Sequence, residues 1–201
     1  MQNSLNQVYL RGRVAGNPAF SHESHGIETY SFFLAIKRLS GAEDMIRVLA
    51  SGALLEAKPC RDGQPIEVEG SLRSFNNKSN VGSRLIITVL AREIGEGDEP
   101  DENQVSLSGT LCKPPIYRKT PLGREICDLI LAVNRSYGRA DYLPCIAWGA
   151  GARRCAACNV GDLLTLEGRI QSREYIKLVD NAQVRKTAFE VSVSQVVMGE
   201  V

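Results

Sequence analysis

Two halves of the chain repeat one pattern of hydrophobic and polar positions. In each half, five short runs alternate apolar with small or polar residues, the periodicity of strands that bury one face. In the second half the inward positions are Val105/Leu107/Leu111, Leu129/Leu131/Val133, Leu143/Cys145/Ala147, Leu164/Leu166/Ile170 and Phe189/Val191/Val193. In the first half they are Val8/Leu10/Val14, Phe32/Leu34/Ile36, Ile46/Val48/Ala50, Ile66/Val68/Leu72 and Leu85/Ile87/Val89. Residues 54–60 and 149–161, each between the third and fourth runs, predict one short helix per half.

The repeat also holds at the level of single residues. The segment 6–12 (NQVYLRG) returns at 103–109 (NQVSLSG), and the same offset pairs Pro18 with Pro115 and Gly52 with Gly149. A fixed offset across several strands and turns indicates one structural unit used twice. We therefore predict domains at 1–94 and 104–201. Residues 95–103 are acidic and interrupted by Gly and Pro, which is typical of a solvated linker.

The order of the elements predicts the fold. Five strands with one helix between the third and fourth is the arrangement of an OB-fold, although other small barrels share that order. The predicted class is all-β with one short helix per domain, built as two tandem OB-fold five-stranded barrels.

Composition and charge narrow the function. No apolar run is long enough to cross a bilayer and the N-terminus lacks the features of a signal peptide, so we expect a cytoplasmic protein with no membrane partner. The six cysteines are then expected to be reduced. The net charge of +1 divides into +2 over residues 1–94, −5 over 95–103 and +4 over 104–201. The basic second half suits a polyanionic partner.

Aromatic residues distinguish the two copies. Where the second copy has Tyr137, Tyr142 and Trp148, the first has Ser40, Met45 and Ser51. Strand parity turns Tyr142 and Trp148 away from the core. In the fourth strand it turns out Glu167, Arg169, Gln171, Arg173 and Tyr175. A solvent face rarely tolerates such a cluster without a partner, which here is either stacked bases or a protein subunit.

Basic side chains surround these rings and could contact phosphates. They are Arg135 and Arg139 after the second strand, Arg118 and Lys119 in the first loop, and Lys177, Arg185 and Lys186 in the last hairpin. Cys155 and Cys158 look like half a metal site, but no second ligand pair stands at a suitable spacing, so we interpret them as buried under the helix. His22 and His25 are interpreted as a polar loop tip. No catalytic set or cofactor motif is present in the sequence, and we expect no enzyme, no cofactor and no metal.

The second copy resembles bacterial single-stranded DNA-binding proteins of the replication type. The matching segments are 131–137 (LAVNRSY), Asp141-Tyr142, Trp148-Gly149, 160–162 (VGD) and 166–170 (LEGRI), together with Pro115, Arg118 and 121–123 (PLG) in the first loop. The resemblance implies that the stacking aromatics are Tyr137, Tyr142, Trp148 and Tyr175. The first copy resembles the family more weakly. It retains Arg38 and Arg47 as backbone contacts and Phe75 near the fourth aromatic position.

The resemblance implies a non-enzymatic, nucleoid-associated protein that binds single-stranded DNA during replication, repair or recombination. By analogy with relatives that bring four barrels together, we expect a homodimer. Family members usually end in an acidic tip that recruits other proteins, whereas this chain ends at 199–201 (GEV), so recruitment of replication proteins is not expected. Two alternatives remain open from the sequence. One is an OB-fold protein-interaction module, such as a primosome-like accessory, and the other is an RNA-binding OB protein.

Overall fold

The chain forms two compact units. The computed structural model describes residues 5–77, 85–179 and 182–198. The first unit comprises Gln7–Arg73 and Thr88–Gln104. The second comprises the described residues of Met1–Asn6, Ser74–Ile87 and Val105–Val201. The sequence placed all of residues 1–94 in one domain, whereas the described residues of Ser74–Ile87 group with the second unit.

The first repeat forms a closed five-stranded barrel with one helix. Its elements are β1 (Asn6–Ser24), β2 (Ile27–Lys37), β3 (Glu43–Ser51), α1 (Gly52–Ala57), β4 (Pro65–Asn76) and β5 (Leu85–Glu96). The strand order is β2-β3-β5-β4-β1, and a further pairing of β1 with β2 closes the sheet. The strands β3 and β5 pair in parallel. The helix was predicted over residues 54–60, whereas α1 begins at Gly52 and already ends at Ala57.

The second repeat has the same topology with an extended first hairpin. Its elements are β6 (Glu102–Leu111), β7 (Ile116–Lys119), β8 (Glu125–Asn134), β9 (Ala140–Trp148), α2 (Gly149–Ala156), β10 (Leu163–Val179) and β11 (Ala182–Met198). The order β6-β10-β11-β9-β8-β7 is closed by pairing of β6 with β8, and β9 pairs in parallel with β11. The predicted all-β class, with OB-fold barrels and one short helix in each repeat, is confirmed.

Strand parity predicted the two cores closely. Every inward position predicted in the two repeats is buried except Leu85 and Phe189, which are half-buried. The prediction works because alternate residues of a strand face opposite sides of the sheet. Because the inward residues fill the two cores, the residues available for binding lie on the outward faces of the strands.

Barrel closure depends on one glycine in each repeat. A Cβ added to Gly12 would lie 2.4 Å from the carbonyl oxygen of Ala35, and one added to Gly109 would lie 2.7 Å from that of Ala132. At these points β1 crosses β2 and β6 crosses β8, so the backbones approach more closely than any side chain allows. The same glycine is required twice because the same closure is made twice.

The acidic segment between the repeats groups with the first unit, and its residues Asp98, Glu99 and Pro100 are exposed. Strand β5 continues to Glu96 and β6 begins at Glu102. Between them Glu99 lies 3.3 Å from the Arg13 guanidinium, and the backbone N–H of Lys37 donates a 2.7 Å hydrogen bond to Asp101. The sequence composition suggested a free segment because these partners are distant along the chain.

Five of the six cysteines are buried, and Cys112 is half-buried. Burial raises the pKa of the Cys127 thiol to about 11 and that of Cys155 to about 12. The interpretation of Cys155 and Cys158 as buried residues is confirmed. In the part of the chain that the structure describes, no helix has the length and hydropathy needed to cross a membrane.

Replacing Gly109 by alanine should destabilise the protein by about 1–3 kcal/mol, because the new methyl group collides with the Ala132 backbone. The matched control is Gly151→Ala in α2. There the added Cβ meets its nearest neighbours at 3.9 Å, and the change should stabilise the helix by about 0.5–1 kcal/mol. Urea denaturation followed by circular dichroism measures both, and equal effects would show that Gly109 is not the closure point.

The folded protein should expose one reactive thiol. The thiolate is the species that attacks Ellman's reagent, and the raised pKa values keep the buried thiols protonated at pH 8. We expect Cys112 to react first and the other five only after unfolding in guanidinium chloride. Rapid release of two or more equivalents from folded protein would contradict this.

Candidate nucleic-acid interface

The outward face of β8 and β9 in the second unit carries the predicted rings. Cross-strand pairing places Trp148 opposite Ile126 and Tyr142 opposite Ala132. Tyr142 is 52% exposed and Trp148 is 37% exposed, which confirms the outward orientation predicted from parity. Two flat apolar rings thus share one face of the barrel and remain open to solvent.

The Trp148 ring is held at its edge. Its Nε1–H donates a 3.1 Å hydrogen bond to Oγ of Ser192 on β11. Its cross-strand neighbour Ile126 is only 2% exposed although it lies on the outward face. A ring that is fixed before binding loses less rotamer freedom when a partner stacks on it.

Tyr137 projects from the connection between β8 and β9. It lies in a short 3₁₀ turn at Ser136–Gly138 and has a left-handed backbone with φ of 62°. Its side chain is 99% exposed. A tyrosine with positive φ is uncommon, because its Cβ crowds the backbone there. The strained turn directs a large ring into solvent next to the β9 face.

Beneath this turn lies a buried ion pair. The carboxylate of Asp141 is fully buried and receives hydrogen bonds from Nε of Arg135, at 2.5 Å, and from its Nη2. The backbone N–H of Ser74 donates a further bond of 2.6 Å to the same carboxylate. The hydroxyl of Ser74 in turn accepts a 2.8 Å bond from the backbone N–H of Tyr142. Arg135, predicted as a DNA contact, therefore also positions the segment that carries Tyr137 and Tyr142.

Phe75 lies in the second unit and not with the first. The guanidinium carbon of Arg135 is 5.9 Å from the centroid of its ring, a cation–π arrangement. The ring is 42% exposed. The sequence suggested Phe75 as a weak site residue of the first domain, but the end of β4 places it beside the Arg135–Asp141 pair.

Two of the predicted phosphate contacts are already paired with carboxylates. Nε of Arg118 donates a 2.9 Å hydrogen bond to Asp128, and this bond raises the pKa of the arginine. Nε of Arg173 lies 3.7 Å from Glu190. Gln171, predicted to point outward, is buried and donates a 3.0 Å hydrogen bond to the same glutamate. Its burial was missed because Glu190 is on the neighbouring strand.

The remaining predicted cations are more open. Lys119, Arg139 and Arg169 are exposed and form no ion pair within the described ranges. Arg169 lies opposite Ser192, the residue that holds the Trp148 edge. Tyr175 and Lys177 lie in β10, paired with Lys186 and Val184, but their side chains fall outside the described part of the structure.

The equivalent face of the first unit has a different surface. Arg38 repeats the clamp of Arg135 by binding the buried Asp44 through Nε, at 2.6 Å, and through Nη2. The guanidinium of Arg47 lies 5.3 Å above the ring of Phe33. Phe33 is 37% exposed and was missed by the sequence reasoning. Its signal was parity, since Phe32 and Leu34 on either side of it face inward.

Among the residues that the structure describes, no group of three or more His, Cys, Asp or Glu side chains could hold a metal ion. His22 contacts Ser21 through Nδ1 at 3.1 Å, and His25 lies in the turn between β1 and β2. What the second unit offers is an aromatic surface bordered by arginines.

Comparison with known proteins matches this arrangement. The model of the single-strand binding protein family matches residues 102–198. Single-stranded DNA-binding protein B of Bacillus subtilis is 41% identical in an alignment 80 residues long, which covers 36% of this chain and 71% of that protein. The chain belongs to the single-strand binding protein family.

Other relatives extend the similarity. Single-stranded DNA-binding protein 2 of Listeria innocua is 36% identical over 80 residues, and the match covers half of that protein. The crystal structure of wild-type single-stranded DNA binding protein from Thermus aquaticus is 26% identical, with a TM-score of 0.79. The match covers 99% of this chain and 95% of that chain. Family membership thus favours single-stranded DNA binding over the alternative of a protein-interaction module.

The Asp141 clamp should be a major contributor to stability. Asp141→Ala leaves the Arg135 guanidinium partly buried without its partner, which typically costs about 3–5 kcal/mol. The matched control is Asp128→Ala, whose ion pair with Arg118 is well exposed and should be worth about 0–1 kcal/mol. Urea denaturation of both variants gives the comparison. Equal losses would mean that the buried pair has no special role.

Proposed function

We propose that the protein binds single-stranded DNA through the β8–β9 face of the second unit, without base sequence preference and without catalysis. The observation that carries this proposal is the set of exposed rings, Tyr137, Tyr142 and Trp148, on and beside one face of a barrel. Bases have flat apolar faces whatever their identity, so stacking on such rings tolerates any sequence. We include Tyr175 in the stacking set on the family resemblance.

Phosphates are bound by the arginines and lysines around the rings. Arg139 and Arg169 form no ion pair with a carboxylate among the described residues, so they are the strongest candidates, whereas Lys119 lies opposite Glu125 on the neighbouring strand. Arg118 and Arg173 are held by Asp128 and Glu190, so they contribute more by orientation than by free charge. Because each phosphate contact releases counterions, the affinity falls as the salt concentration rises.

The first unit contributes less to DNA binding than the second. It has Met45 and Ser51 where the second unit has Tyr142 and Trp148, and only Phe33 with Arg47 offers a ring on the equivalent face. Arg38 is held by Asp44, as Arg135 is by Asp141. The first unit therefore contributes few stacking contacts, and Arg38 and Arg47 serve as secondary backbone contacts.

The cellular role follows from the class of protein. The protein protects exposed strands during replication, repair or recombination, in the cytoplasm and associated with the nucleoid. It acts as a homodimer, which brings four barrels together. Sedimentation velocity at micromolar concentration tests the assembly, with a mass near twice that of the 22.0 kDa chain as the expected result.

Trp148 is the single tryptophan of the chain, so its fluorescence reports directly on the proposed site. Titration with oligo-dT at low salt should quench it strongly, because a stacked base contacts the indole. High salt should weaken the binding and restore the fluorescence. An unchanged fluorescence together with an unchanged anisotropy of labelled oligo-dT would refute the proposal. Matched oligo-rU separates DNA from RNA preference.

Single ring deletions test the stacking directly. Tyr142→Ala and Trp148→Ala should each weaken binding of labelled oligo-dT by about 1–3 kcal/mol, the usual value of one stacked base in proteins of this class. The matched control is Met45→Ala at the equivalent position of the first unit, which should bind as the parent does. A folded double variant of Tyr142 and Trp148 with the affinity of the parent would rule out stacking.

A further inference from the structure

The first unit contains a groove that the DNA-binding proposal does not use. It lies between α1 and the β1–β2 hairpin and has a volume of about 360 Å³. Its apolar walls include Pro18, Leu55 and Pro59, and its polar lining includes Glu28, Tyr30 and Glu56. The Tyr30 hydroxyl donates a 3.0 Å hydrogen bond to Oε2 of Glu28. Neither glutamate forms an ion pair with any residue that the structure describes.

In the second unit, the position equivalent to Glu56 holds an arginine, which forms an ion pair with the equivalent glutamate. Glu56 and Arg153 are each the fifth residue of their helix. Glu28 comes just before Thr29, which pairs with the last residue of β3. Glu125 likewise comes just before Ile126, which pairs with the last residue of β9. In the second unit the Arg153 guanidinium binds Oε2 of Glu125, and the Tyr117 hydroxyl donates a 2.6 Å bond to the other oxygen. The fifth residue of α2 thus supplies the cation that pairs with the Glu125 carboxylate.

In the first unit that internal cation is replaced by a second carboxylate. Glu56 stands where Arg153 supplies positive charge, so among the described residues Glu28 has a tyrosine partner but no ion-paired cation. Two carboxylates at one groove disfavour a phosphate backbone and favour a guanidinium or ammonium group. The exposed Phe20, which packs edge-on against Tyr30 with centroids 5.9 Å apart, extends the apolar surface at the rim.

We propose that this groove docks a partner protein segment that presents an arginine beside an apolar side chain. The arginine takes the place that Arg153 has in the second unit, with its guanidinium between Glu28 and Glu56. The apolar neighbour contacts Leu55, Pro18 and Pro59. Arginine is preferred to lysine because its planar fork can engage two carboxylates at once. The proposal does not depend on DNA binding, which we place on the second unit.

The test uses the full-length protein and a defined probe, acetyl-Leu-Arg-Leu-amide, followed by amide chemical shifts in ¹⁵N TROSY spectra. We expect saturable shifts confined to residues near the groove, in α1 and at the start of β2. The matched control peptide carries citrulline, which has nearly the shape of arginine but no charge. Loss of charge-assisted hydrogen bonds should weaken its binding by roughly tenfold or more. Equal binding of the two peptides would overturn the proposal.

Glu56→Arg is the decisive variant, because it copies the second unit. The new arginine should bind Glu28, raise the thermal midpoint and abolish peptide binding. Glu28→Gln should also weaken the peptide by roughly tenfold, without that gain in stability. Oligo-dT affinity should be unchanged in both. Undiminished peptide binding by the Glu56→Arg protein would refute the assignment.

Sedimentation equilibrium of the Glu56→Arg protein tests whether a second copy of this chain occupies the groove. If the groove were filled by a second copy of this chain, Glu56→Arg would change the oligomeric state and the proposal would fail. An unchanged mass, together with loss of peptide binding, supports an external partner.

Discussion

The buried carboxylate of Asp141 is the constraint on which the aromatic face depends. A charge with no solvent exposure is tolerated only when it is paired and fully hydrogen-bonded, and here the bonds come from Arg135 and Ser74. Arg135 begins the turn that projects Tyr137, Asp141 precedes Tyr142, and Ser74 holds the Tyr142 backbone. The electrostatic requirement of one side chain therefore fixes the chain on both sides of it, and two of the three exposed rings are positioned as a consequence.

The first unit retains this clamp as Arg38 and Asp44 but lacks the rings. Clamp and closing glycine are common to both repeats, so neither of them accounts for the difference between the two outward faces. What differs is on the outward face, where Met45 and Ser51 replace Tyr142 and Trp148. Exposed aromatic rings have no favourable role in folding, since they remain in contact with water. The presence of Tyr137, Tyr142 and Trp148 in the second repeat alone supports the proposed division of labour, in which the second barrel stacks bases and the first is free to present other surfaces.

Local periodicity accounts for what the sequence could predict. The fold, the cores and the outward direction of Tyr142 and Trp148 follow from alternation within single strands and from the repeat. The errors concern contacts made with another strand. Gln171 is buried beside Glu190 of the neighbouring strand, and Phe75 belongs to the second unit through Arg135. No pattern within one strand contains these partners. Phe33 is different, because the parity argument that found Tyr142 would have found it too.

The acidic segment between the repeats has partners that its composition does not reveal. Glu99 is well exposed but lies beside Arg13, and Glu102 contacts Arg11. Residues 1–94 have a net charge of +2 and residues 95–103 of −5, so the docked segment makes the surroundings of the first barrel acidic. Residues 104–201 retain +4. Because phosphates respond to the summed charge around a surface, this docking increases the electrostatic contrast between the repeats. This contrast supports the proposals that DNA binds the barrel that carries the rings and that the acidic groove of the other docks a partner of opposite charge.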